Sequence, residues 1–232
     1  VNSTMDIAFD LGLKNTPEGT LFLAEAQTKG RGRLGRTWSS PKYKGIYMSL
    51  ILKPKIPPYQ ASLLTLVSAV AVAEAIENLT GLSVQIKWPN DILINQKKLG
   101  GILTELNAEM DQIHFAVIGI GINVNNDKKN LIAGATSLRE QKKERINRVE
   151  LLKEILFRLE ENYLLWKDKG SSAIIKKWHL YDITLGKRIK IFLHKGTLEG
   201  QALDIDLDGS LLVRDDTGLI HKITAGDVVH CR

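Results

Sequence analysis

The sequence predicts an α+β fold. A mixed, largely antiparallel sheet with packed helices occupies residues 1–184, and a small C-terminal SH3-like β-barrel occupies residues 185–232. Three observations predict it. Between residues 82 and 124, three or four apolar strand segments follow one another with no room for crossover helices. Two long apolar runs of helical character flank them, one after Pro57-Pro58 and one over 148–168. From Lys187 the texture changes to short alternating strands separated by Asp/Gly turns.

The elements follow in order. Residues 4–14 read as an opening helix capped by Ser3 or Thr4. "TLFLAEAQ" (20–27) alternates as a strand does, and "GIYMSLILK" (45–53) is a second strand that Pro54 stops. A long helix runs from Pro57-Pro58 to about Leu79, with Gly81 placed for a C-cap. Then come "LSVQIKW", "DILINQKKLGGILTELNA" with a polar break at 95–98, and "IHFAVIGIGINV". Val149, Leu152, Ile155, Leu156, Leu159, Tyr163 and Trp166 repeat at helical spacing, and a shorter helix, 171–179, follows Gly170. "RIKIFL", "GTLEGQALDID", "GSLLVRD" and "LIHKITAG" supply the barrel strands, with Asp208-Gly209 and Thr217-Gly218 in turns.

At 232 residues the chain can bury a substantial core. The formal charge of +6 suits anionic ligands without predicting DNA binding. The single cysteine, Cys231, excludes an internal disulfide and reads as inert. With no signal-peptide pattern, a cytoplasmic protein is the expectation. "LLTLVSAVAVAEAI" (63–76) is short for a membrane span and contains Glu74, so it reads as a buried helix and no membrane partner is expected. The five histidines show no ligand-spaced pair.

"GRGRLGR" (30–36) interleaves three glycines with three arginines. Gly30, Gly32 and Gly35 satisfy G-x-G-x-x-G, yet the segment leads to turn formers and a strand instead of opening a helix, so the dinucleotide fingerprint fails on context. No Walker A lysine follows either. What remains is a loop whose permissive backbone lets amides converge on one anion, with Arg31, Arg33 and Arg36 as planar, permanently charged donors. A solvated basic loop, or one tracking a nucleic-acid backbone, fits these seven residues equally.

"VQIKWPNDILINQKKLGGILTEL" (84–106) adds Lys87, Trp88, Asn90 and Asp91 at a proline-forced turn, with Lys98 seven residues beyond Asp91. Gly100-Gly101 removes side-chain bulk so that a ligand can lie against the main chain. A hairpin-turn lysine, a core tryptophan and a simple Asn-Asp turn are the plain alternatives. Taken with the arginine loop, these residues read as a pocket for a substrate bearing several negative charges.

"GRGRLGRTW", "KWPNDILI", "KLGGILTE" and "VIGIGINV" resemble, in order and spacing, the four signature stretches of biotin–protein ligases. The resemblance spans residues 2–125 by motif, and the tail matches that family's C-terminal domain in position and size. It implies a biotin/lipoate ligase-like catalytic domain and a two-step reaction. Biotin attacks the α-phosphate of ATP, with Mg²⁺, to give biotinyl-5'-AMP, which then acylates a lysine of biotin carboxyl carrier protein. It further implies that Lys98 and Arg33 are catalytic. Arg31, with the Gly30 and Gly32 loop, would hold the anionic groups. Ser3, Thr4 and Gln27 would bond the biotin head group, Trp38 would pack near its tail, and Gly101 would offer a backbone contact. Lys87, Asp91 and Asn123 would lie on the ATP side, Asp91 through magnesium. The glycine content leads to the expectation that the loop is disordered or open without ligand and folds over the ligand once it is bound.

Where the family pattern reads acid-Ser-Thr-Asn, this chain reads Asn2-Ser3-Thr4-Met5. The resemblance implies a form lacking the helix-turn-helix of some members, with no DNA partner expected, and a possible homodimer. A lipoate or octanoate ligase is the alternative within the enzyme class. A basic nucleic-acid-binding module is the alternative outside it, and it leaves Lys87 to Asp91 and the Lys98 strand unexplained.

Overall fold

The computed structural model describes residues 1–193 and 196–230; Cys231 lies outside the described residues. The first helix, α1 (Thr4–Gly12), starts where Ser3 takes extended backbone and its hydroxyl accepts from the Asp6 amide. That bond satisfies one of the orphan donors of the first turn. Strand β1 (Leu21–Ala24) pairs antiparallel with β2 (Ile46–Leu52). β2 is buried along its whole length, hence its unbroken apolar run.

Helix α2 (Ser62–Thr80) begins after a turn of 3₁₀ at Pro58–Gln60. It ends at Gly81, whose φ of 68° suits glycine and whose N–H donates to Glu77. By length and hydropathy α2 could cross a membrane, but it is largely buried against the sheet and two later helices. Strands β3 (Gln85–Lys87), β4 (Asp91–Ile94), β5 (Lys97–Ala108) and β6 (Ile113–Ile122) follow. β4 and β5 join through Asn95-Gln96, both at positive φ, the conformation of a tight two-residue hairpin turn. The first sheet runs β1-β2-β6-β5-β4-β3, and every ladder in it is antiparallel.

Two amphipathic helices, α4 (Arg148–Lys169) and α5 (Ser171–His179), cover α2 from the far side. They present Leu151, Ile155, Leu159, Tyr163 and Trp166 from one, and Ile174, Ile175 and Trp178 from the other. The short α3 (Leu138–Lys142), capped by Ser137, carries no sequence expectation; five residues are too few for a periodicity.

The second sheet comprises β7 (Arg188–Phe192), β8 (Thr197–Ile205), β9 (Leu211–Arg214), β10 (Ile220–Ile223) and β11 (Asp227–His230), in the order β10-β9-β8-β7-β11. Four of these match the predicted segments. β11 has no sequence expectation, because Val228-Val229 is too short an apolar pair to mark a strand. Trp88 joins the two sheets: buried, it donates from its indole N–H to the carbonyl of Gly209 (3.2 Å) and from its amide to Thr184 Oγ1 (3.0 Å).

Candidate functional site

A cavity of about 650 Å³ opens over the first sheet and is walled on one side by β11. Its floor crosses the strands, from Met48 on β2, through Gly119 and Gly121 on β6 and Gly101 on β5, to Asp91 on β4. Four strands at about 4.8 Å spacing make that floor roughly 14 Å long.

Lys98 and Gly101 are three residues apart, which on a regular strand puts them on opposite faces. A bulge at this point opposes Ile92 to Gly100 and Leu93 to Lys98, leaving Leu99 as the extra residue. Lys98 is thereby turned onto the Gly101 face: a Cβ built on Gly101 would lie 3.7 Å from Lys98 Nζ. Asp91, paired with Gly101 across the hairpin, meets Lys98 Nζ at 2.5 Å and Lys87 Nζ at 3.5 Å.

The arginine loop is folded down over this floor. Gly32 donates to Arg36, Arg36 to Arg33, and Trp38 to Gly30. Arg33 turns inward, donating to Asn90 Oδ1 (3.0 Å) and the carbonyl of Gly226 (3.3 Å). Burial pushes the Arg33 guanidinium below its ordinary pKa, an effect that Asp227 and Asp91 oppose, so the group gains from any further anion placed beside it. Arg31 takes another direction, bonding Asp6 (2.8 Å) and Glu105. Trp38 lies across the glycines, with its ring 5.9 Å from Lys98 Nζ and its buried indole N–H without a protein acceptor.

At the β1–β2 end the wall is polar and uncharged. Gln27 Oε1 accepts from the Thr4 amide (2.8 Å) and hydroxyl (3.1 Å), and Gln27 Nε2 donates to Ser40. Ser49 donates to Thr4 Oγ1 at 2.8 Å.

Of the sequence-predicted residues, Thr4, Gln27, Arg31, Gly32, Arg33, Trp38, Lys87, Asp91, Lys98 and Gly101 line this one cavity. Three do not. Ser3 is fully buried as the cap of α1. Gly30 is needed for close approach, since a Cβ there would sit 2.3 Å from the Trp38 carbonyl. Asn123 is buried and donates its side-chain amide to the Thr136 carbonyl. Asp91, expected on the ATP side, lines the cavity between two lysines. No group of three His, Cys, Asp or Glu able to hold a metal ion occurs among the described residues. Sequence reasoning missed Asn90 as the partner of Arg33, and it missed Phe192, Asp227, Val228 and Val229, which line the cavity from the second sheet. It also missed the floor positions Gly119 and Gly121, for which the glycine alternation of "VIGIGINV" is the available signal.

A family model described as "Biotin/lipoate A/B protein ligase family" matches residues 1–123, and one described as "Biotin protein ligase C terminal domain" matches residues 184–231. The bifunctional ligase/repressor BirA of Bacillus subtilis (strain 168) is 43% identical over 232 residues, covering 98% of this chain and 71% of that protein. A biotin–[acetyl-CoA-carboxylase] ligase of Mycobacterium tuberculosis is 32% identical, covering 93% of this chain and 80% of that one. A solved biotin protein ligase from Aquifex aeolicus, in complex with biotin and ATP, superimposes with a TM-score of 0.83 at 32% identity, over 100% of this chain and 95% of that one. With both models matched in order along one chain, and with relatives this similar across nearly its full length, the chain belongs to the biotin/lipoate A/B protein ligase family and carries the C-terminal domain of its biotin protein ligases.

Proposed function

We propose that this chain attaches biotin to a carrier-protein lysine at the expense of ATP, by way of biotinyl-5'-AMP. The observation that carries the reading is the polarity of the cavity. An uncharged hydrogen-bonding end at Thr4 and Gln27 and a cationic end at Lys98 and Arg33 stand at the two ends of one glycine floor. Such a cavity suits an elongated acid with a neutral polar head, held with its carboxylate among the cations. The Aquifex relative, solved with biotin and ATP, supports the same pair of substrates.

The chemistry asks for those cations. A carboxylate must approach a polyanionic triphosphate, and its oxygen bonds to the α-phosphorus as the bond to pyrophosphate breaks. Arg33 and Lys98 lower the repulsion and stabilise charge on the transferring phosphoryl group. The carrier lysine amine then attacks the acyl carbon, and AMP leaves with the bonding pair. The folded-down loop keeps water from the mixed anhydride between the two steps.

The carboxylates that line the cavity, Asp91 and Asp227, are paired with Lys98 and Arg36. Magnesium belongs to this reading as the counter-ion of the triphosphate substrate. The reading includes a cytoplasmic location and leaves room for a homodimer. It disfavours a nucleic-acid module, because Arg33 turns inward to an amide and a carbonyl and Arg31 is already paired with the carboxylates of Asp6 and Glu105. Biotin-dependent ATP–pyrophosphate exchange, with lipoate as control, tests it. Exchange with biotin alone is expected, and exchange with lipoate in its place would overturn the substrate assignment.

A further inference from the structure

The tip of the arginine loop, residues 33–36, is held down by charge more than by packing, whereas Trp38 at the loop's end packs on the floor glycines. In its central turn, Arg33–Gly35, the guanidinium of Arg33 turns inward, while Leu34 at the tip has a φ of 54° and is 71% exposed. A segment with so few apolar contacts opens at little cost unless something else ties it. The tie comes from the second sheet. Asp227, the first residue of β11, places Oδ1 3.6 Å from Arg33 and sets Oδ2 in a short ion-pair contact with Arg36, while the preceding carbonyl, Gly226, accepts from Arg33. The Asp227 side chain is 18% exposed against 66% for Arg36, so the anchor sits in the wall and the exposed arginine reaches to it.

We propose that Asp227 is a positioning residue that clamps the arginine loop over the cavity from the C-terminal sheet, so that retention of the activated intermediate depends on a carboxylate that does no chemistry itself. The inference rests on the adenylate reading above. With the clamp lost, water reaches the mixed anhydride; its attack at the acyl carbon breaks the acyl–oxygen bond and returns biotin and AMP.

Two measurements on the full chain test it, each comparing wild type with D227N, D227E and R36Q. The first is limited subtilisin cleavage within 31–36 of the free protein. The second is AMP release from preformed adenylate without carrier. D227N, which keeps the shape and loses the charge, is expected to be cleaved and to leak roughly tenfold faster, the order of one partly buried charge pair. D227E is expected to restore both, and R36Q to move both in the D227N direction through an exposed side chain that leaves folding intact. A purely structural role would lower the melting temperature without separating D227N from D227E. Cleavage of D227N and R36Q at the wild-type rate, or D227E behaving as D227N, would overturn the clamp. The protease arm needs no substrate, so a chain without biotin-dependent exchange sinks the adenylate reading and leaves the clamp still measured.

Discussion

Lys98 and Arg33 reach the cavity from different elements, yet consecutive residues of one turn hold them: Asn90 accepts from Arg33, and Asp91 pairs with Lys98. The turn is itself braced by Asn90, whose side-chain amide donates to the Ile102 carbonyl at 2.8 Å. This is why "WPND" and a lysine seven residues later belong to one device. Their residue types were legible in the sequence as cations and turn formers; the pairing of Asn90 with Arg33, 57 residues apart, was not, because it depends on where the loop folds. Ser3 was legible as a helix cap, because a hydroxyl ahead of an apolar run marks a helix start, and the structure places it there as the cap of α1. Lys98→Ala is expected to lower adenylation by at least about a hundredfold, the scale of removing one positioned charge from a transition state. It should leave the melting curve unchanged, since its ion-pair partner Asp91 keeps Lys87. Pyrophosphate exchange measured beside thermal unfolding checks this, and near-normal exchange would remove Lys98 from the mechanism.

The bulge in β5 and the glycines of β5 and β6 set the cavity's shape. The Gly100-Gly101 pair was legible as a place where a ligand can approach the main chain, and the strands themselves were legible from their apolar runs. The bulge was not, since an extra residue at Leu99 leaves no compositional trace. Nor was the place of β2 between β1 and β6, because strand order depends on long-range pairing. Two of the floor glycines, Gly121 and Gly101, should behave differently. A Cβ on Gly121 would lie 2.6 Å from the Trp38 ring, so Gly121→Ala must displace the indole, at about 1–3 kcal/mol of overpacking strain. A Cβ on Gly101 would meet only ordinary contacts at 3.6 to 3.7 Å, so Gly101→Ala should fold normally and obstruct the ligand that rests on it. Urea unfolding is expected to separate G121A from wild type and not G101A, while titration with biotin shows weaker binding for both. Unimpaired binding by G101A would mean that the ligand does not lie on this floor.

The two sheets were separable in the sequence by the change of texture near 185, but their mutual contact was not, because it is built from single bonds scattered along the chain. Arg33 donates to Gly226, Lys87 to Val228, and Trp88 to Gly209 and to Thr184; together these close one side of the cavity. Phe192, Val228 and Val229 add apolar wall from the second sheet. A molecule in this cavity therefore touches both sheets, and its binding free energy is shared between them. Linkage then fixes the outcome of a melting experiment. A ligand at a hundredfold excess over its Kd adds about 2.7 kcal/mol to the folded state. For a chain of 232 residues that raises the midpoint by roughly 5–10 °C. If the wall is common property, the increase should appear in one cooperative calorimetric transition, displaced as a whole by biotin with ATP. Were the second sheet a passive appendage, heating would resolve two transitions, and only the one belonging to the first sheet would move. The indole of Trp88, buried between the sheets and bonded to the second, argues for the single transition: the second sheet cannot unfold alone without leaving that N–H and the apolar face around it uncovered.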